Sequence, residues 1–176
     1  MKYDENVANA VSVLRDAHIN ASQGLSKELF WLTSSLVPMV NVDLLITNGD
    51  GQLLLARRDD EFHPKSWHIP GGCIRFGETM LERVHKTAIA ELGCDVIVEK
   101  GPIAIRDAIR DPIRERYYPN ERRHFISILF RCRLAGYIQN KELTEDDAGY
   151  LKWFAKVPED LVPIQHIYDD ILKQWK

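Results

Sequence analysis

The stretch GCIRFGETMLERVHKTAIAELGC, residues 72–94, decides how the chain is read. Residues 78–92 carry an uninterrupted helical pattern, and Gly93 stops it, since glycine enters a left-handed backbone without the clash of a Cβ. At about 100° per residue, Leu81, Val84, Ala88 and Leu92 share one face and predict a buried stripe. Glu91 falls at the edge of that stripe, flanked by Thr87 and Met80, with Arg83 and Ala90 further round. A carboxylate so placed makes a boundary salt bridge or serves the Pro70-Gly71-Gly72 turn above it.

Upstream, MVNVDLLIT and QLLLARR flank Asn48-Gly49-Asp50-Gly51, which predicts a β-hairpin. A loop from Asp59 to Ser66 leads to Trp67-His68-Ile69. Downstream, CDVIV, GPIAIRDA, HFISILFRCRL and GYLKWFA read as strands. In the closing IQHIYDDILKQW, Ile164, Ile167, Tyr168 and Ile171 share a helical face. Strands around one central helix, with a second helix at the end, predict an α+β fold of the α/β/α sandwich type with a mixed sheet. Residues 1–36 differ. Val7, Val11, Leu14 and His18 recur at helical spacing, and Ser26 is placed to cap a second helix in KELFWLTSSL. The chain thus divides into an N-terminal helical extension, 1–36, and a main domain, 37–176. The extension packs on that domain or forms a dimer contact.

The whole chain has 176 residues, a formal net charge of −3, 45% hydrophobic and 28% charged residues. Those values exclude a disordered or fibrous protein. They also argue against non-specific nucleic-acid binding, which needs a broad basic excess. No apolar run approaches a membrane span, and MKYDENVANA lacks a signal layout, so a cytoplasmic protein is expected. Cys73, Cys94 and Cys132 are too few and too scattered for a disulfide framework.

The spacing from Gly72 onward resembles the Nudix box, G-x5-E-x7-R-E-U-x-E-E-x-G-U, where U is bulky and apolar. Gly72, Glu78, Glu91 and Gly93 match; Lys86, Thr87, Ala90 and Cys94 replace the Arg, two of the Glu and the last apolar residue. The preceding WHIPGG and the surrounding strands are similar to the family over roughly residues 38–155. The resemblance implies hydrolysis of a nucleoside diphosphate derivative with Mg²⁺, Mn²⁺ being a possible substitute. Hard cations of this kind take carboxylate, carbonyl, phosphate and water oxygens. With Thr87 and Ala90 in place of acids, one metal is expected, held by Glu91 and the carbonyl of Gly71.

The Ala-Glu-Leu-Gly ending is similar to that of the GDP-mannose mannosyl hydrolases, which cleave the glycosidic carbon–oxygen bond with the diphosphate as leaving group. That resemblance implies Asp43 as an active-site acid and Arg58 as the arginine on the leaving group. The branch has an arginine where this chain has Cys73, and a Gln-His pair where it has Glu145-Asp146-Asp147. A carboxylate among Glu145, Asp146 and Asp147 is the expected replacement base, with His124 as a further candidate. Conventional pyrophosphate cleavage and a non-catalytic nucleotide-sugar binder are the alternatives. A homodimer is in keeping with the branch.

Arginines 106, 110, 114, 116, 122 and 123 crowd one segment with Tyr117 and Tyr118. Arg106, Arg123 and Tyr117 are candidate substrate contacts, because a guanidinium fork suits phosphate and a tyrosine stacks on a base. Asp107, Asp111, Glu115 and Glu121 interleave, so a solvated, salt-bridged hairpin is the other reading. His63 and His68 are expected to have loop roles, and Cys73 to be a partly buried thiol.

Overall fold

The computed structural model describes residues 5–60, 65–109 and 124–175. Two helices come first: α1, Glu5–Asp16, and α2, Lys27–Leu36. Ser26 caps α2 by accepting a hydrogen bond from the Leu29 amide at 3.4 Å, as its position in the sequence predicts. The strands follow as β1 (Met39–Ile46), β2 (Leu53–Arg58), β3 (Ser66–His68) and β4 (Gly71–Cys73). Helix α3 (Met80–Leu92) precedes β5 (Val96–Ile109), β6 (His124–Leu134) and β7 (Leu151–Phe154). No described helix is long and apolar enough to cross a membrane.

Two sheets form. The larger runs β4-β1-β6-β5, with β1 parallel to β6 and its other pairs antiparallel; the smaller runs β3-β2-β7. The mixed sheet agrees with the α+β expectation. The hairpin expectation needs correcting. Beyond the Thr47↔Leu53 bridge, β1 and β2 do not pair; each joins a different sheet. The turn itself closes, with Asn48 and Gln52 bonded to each other, but β1 pairs along its length with β6 while β2 pairs with β3 and β7.

β1 explains the layering. Val42, Leu44 and Ile46 face one apolar cluster with Val84, Ala88 and Leu92 of α3, while Leu45 faces the other, with Tyr168, Leu172 and Trp175. Such a strand, apolar on both sides, belongs in the middle of a sandwich. Two sequence expectations fail here. Leu81 is 52% exposed, and the buried face of α3 turns toward Arg83 and Thr87 instead. The C-terminal segment is no continuous helix: it runs as 3-10 turn (Pro163–Tyr168), short α4 (Asp169–Leu172) and 3-10 turn (Lys173–Trp175). The tighter turns shift the buried set to Gln165, Tyr168, Leu172 and Trp175 rather than the isoleucines. Trp175 Nε1 then donates to the Gly51 carbonyl at 2.6 Å, tying this segment to the β1–β2 turn.

Candidate active site

A cavity of about 420 Å³ opens where β4, the end of α3 and the C-terminal turns meet. Gly71 stands at its edge. It faces Asp43 across the β1–β4 pair, between hydrogen-bonded neighbours Leu44–Pro70 and Val40–Ile74. At such a position both the N–H and the C=O of a residue turn away from the partner strand. The Gly71 amide accordingly donates to Glu91 Oε2 at 3.2 Å, and its carbonyl leaves on the same side. A Cβ on Gly71 would lie 2.3 Å from Asp43 Oδ1, so only glycine lets the carboxyl approach the turn this closely.

Asp43 is almost fully buried. Tyr168 donates its hydroxyl to Oδ2 at 2.7 Å, and Asn41 Nδ2 donates to Oδ1 at 2.7 Å. Burial pushes its pKa up to about 6; the Tyr168 hydrogen bond and nearby His68 oppose the rise, and Glu91 adds to it. His68 is no loop residue. It closes β3, lines the cavity, and brings Nε2 to 3.6 Å from Glu91 Oε2, while its Nδ1 is buried with no partner. Arg58, at the end of β2, also lines the cavity, and its Nε donates to Asp60 at 2.5 Å. Gln165 holds the wall in place through both polar atoms: it accepts from the Ile69 amide at 2.7 Å and donates to the Ile69 carbonyl at 3.0 Å.

Other expected residues stand apart from the cavity. His124 lies on the opposite face of β6 from the cavity-lining Phe125 and Ser127, since side chains alternate along a strand; its Nε2 is 3.7 Å from Asp107. Arg106 donates to Asp170 at 2.8 Å. Glu145 pairs with Lys152 at 2.7 Å, Asp147 accepts from the Thr144 amide and hydroxyl, and Asp146 is exposed, 4.0 Å from Lys65. None of these lines the cavity. Tyr117, Arg123 and His63 lie outside the described residues.

Beneath the site, α3 begins with a capping box: Thr79 accepts from the Glu82 amide, and Glu82 accepts from the Thr79 amide. The side chain of Glu78 is only 6% exposed and takes Arg83 Nε at 2.8 Å, the Arg75 amide at 2.9 Å and Lys86 Nζ at 3.0 Å. Burial works to raise its pKa, but these donors outweigh burial and hold it down to about 2. Arg83 therefore carries the main ion pair of the box, and Lys86, at the position of the box Arg, adds a more exposed one. Thr87 fills the space under Gly72, where a Cβ would meet its Oγ1 at 2.7 Å.

The family model described as the NUDIX domain matches residues 37–169. This chain belongs to that family. Its structure shares the Nudix fold with a NUDIX hydrolase from Nitrosomonas europaea at a TM-score of 0.58 and 16% identity, over 80% of this chain and 92% of that one. A structure described as a UDP-X diphosphatase aligns over 97% of this chain and 86% of its own, with a TM-score of 0.52 and 18% identity. The low-salt glycan biosynthesis protein Agl8 of Haloferax volcanii is 40% identical over 63 residues, 36% of this chain and 40% of that protein. This chain spans less than two-thirds of the length of the curated relatives it matches.

A Nudix protein calls for a divalent metal, and the residues can be tested for it. Among the described residues, no group of three or more His, Cys, Asp and Glu is arranged to hold an ion alone. Glu91 and the Gly71 edge supply one carboxylate and one carbonyl. That set suits a single hard cation completed by phosphate oxygens and water, not a site filled by protein ligands.

Proposed function

We propose that this Nudix chain is a metal-dependent hydrolase of a nucleotide sugar of the GDP-mannose type, releasing nucleoside diphosphate and free sugar. The observation that carries the reading is one cavity holding Glu91, the Gly71 edge, Asp43 and Arg58, with a single carboxylate on α3 facing it. Few acids suit a reaction in which the diphosphate departs intact and needs charge neutralised rather than phosphorus attacked. The partial likeness to a glycan biosynthesis protein supports a sugar-linked substrate.

In this reading Glu91 and the Gly71 carbonyl would hold one Mg²⁺ or Mn²⁺, which would supply neutralisation of charge on the diphosphate. Arg58 donates to the leaving group, giving up part of its bond to Asp60. Asp43, held by Tyr168 and Asn41, faces the sugar. His68, with Nε2 at 3.6 Å from Glu91 Oε2, and Asp43 line the cavity with Glu91, as do Asp60 and Cys73, whereas Glu145, Asp146 and Asp147 would have to cross to it from their present partners. The protein acts in the cytoplasm as a homodimer, in keeping with its free thiols and with the exposed Val7, Val11 and Leu14 along α1.

A panel of nucleoside diphosphate sugars turned over in ¹⁸O-water with Mg²⁺ tests the reading. Label in free sugar is expected; label in a phosphate product would assign conventional pyrophosphate cleavage, and no turnover would leave a binding protein. Glu91→Gln is expected to lower kcat at least a hundredfold, and wild-type rates from that variant would remove the metal assignment.

A further inference from the structure

We propose that the N-terminal extension builds a second subsite, on the far side of Gly72–Cys73 from the catalytic cavity, which takes the nucleobase of the substrate. The proposal rests on the hydrolase reading above, because a two-part ligand joined by a diphosphate is what makes a second compartment useful. A cavity of about 430 Å³ lies between the extension and the β4–α3 loop. Leu25 and Phe30 wall it from the extension, and Met39, Ile74, Arg75 and Phe76 from the domain. Gly72 and Cys73 line both cavities, so the edge of β4 is the partition between them. On this proposal a diphosphate lying against Gly71 and Glu91 would reach past the shared Gly72–Cys73 edge into the second compartment.

The two compartments differ in chemistry. The catalytic cavity sets Asn41, Asp43 and Ser127, groups that exchange hydrogen bonds with hydroxyls, beside apolar Phe125, Ile164 and Ile167. The second presents apolar and aromatic surface with two arginines, of which Arg83 is committed to Glu78 and Arg75 is left to bond the polar edge of a planar ring stacked there. Phe76 is 80% exposed at the rim of this cavity, so its ring is accessible to a ligand. Arg75 has no carboxylate partner among the described residues, although its backbone amide is fixed by Glu78. Its guanidinium lies against Gly24, where a Cβ would be 3.4 Å from Cζ. Gly24 has φ of 100°, so glycine is required there for the backbone as well. The extension thus meets the guanidinium at a residue shaped for that approach, and the sugar is left to the hydroxyl-binding cavity.

Isothermal titration of the full chain with Mg²⁺ tests this, using inorganic pyrophosphate and the diphosphates GDP, UDP and ADP as probes. Arg75→Ala and Phe76→Ala, both at exposed positions, are compared with wild type after thermal melts confirm that they fold. The preferred nucleotide is expected to bind about tenfold more weakly to each variant, within the range for removing a stacking partner from a base, with pyrophosphate affinity unchanged. Unchanged nucleotide affinity in both variants overturns the subsite while leaving the hydrolase reading in place. An equal loss for pyrophosphate assigns these residues to the diphosphate and overturns the base assignment. If neither pyrophosphate nor any nucleotide binds wild type, the hydrolase reading fails and the subsite with it.

Discussion

At Asp43 three demands meet: a buried carboxyl, a donor from Tyr168 and a glycine turn pressed against it. Its pKa of about 6, against an ordinary 3.8, means that the fold favours the protonated form. The corresponding stability is fully present below about pH 3.8 and is lost as pH rises through about 6, on the order of 1–3 kcal/mol. Asp43→Asn carries no charge to desolvate, so its stability is expected to fall less than that of wild type between about pH 4 and pH 7. Thermal melts across that range check this, and parallel curves would show that Asp43 does not titrate as described. The spacing of the glycines and of Glu91 is enough to place these residues near one another. It does not reveal His68 or Tyr168, whose neighbours are distant in sequence: Tyr168 reaches Asp43 across 125 positions.

At the scale of α3, the box acts mainly as architecture. Arg83 and Glu78 form a buried pair, and Lys86, 59% exposed, adds a third point. Removing one partner of a buried pair strands the other, at a cost of about 3 kcal/mol. Arg83→Met is expected to destabilise by that order, whereas Lys86→Ala should cost less than about 1 kcal/mol because water screens its contact. Urea unfolding midpoints separate the two, and equal losses would contradict the assignment of the pair to Arg83. Helical periodicity gave the end of α3 and its Gly93 cap, at φ of 72°, but began the helix at 78, whereas Thr79 caps it and Met80 is its first residue. It misjudged Leu81 because a helix wheel is blind to where the covering layers end, and β4 and the loop before α3 bury Arg83 instead.

Across the whole molecule, the C-terminal turns and the N-terminal helices approach the site from different sides. Tyr168→Phe removes one donor from Asp43 and is expected to cost about 1 kcal/mol and to lower kcat, with melts and steady-state rates as the checks. A stable, fully active variant would make the Tyr168 contact incidental. By contrast, α1 buries none of its side chains. Deleting residues 1–18 is expected to shift the melting temperature by less than about 3 °C if α1 stands alone. A larger drop, with loss of a dimer in sedimentation, would place α1 in a subunit contact.

By itself the sequence determined the local framework: the helix with its cap, the turn at residues 48–51, the α+β class and the placement of Glu91 above Gly71. These depend on periodicity and on backbone rules that act over a few residues. Only the tertiary structure decided that the strands beside that turn part into two sheets, and that His124 and the 145–147 acids lie away from the cavity. The same holds for the arrival of His68, Gln165 and Tyr168 at Gly71. Strand pairing and side-chain burial depend on which distant segments compete for the same edge and the same core, and no window along the chain contains that competition.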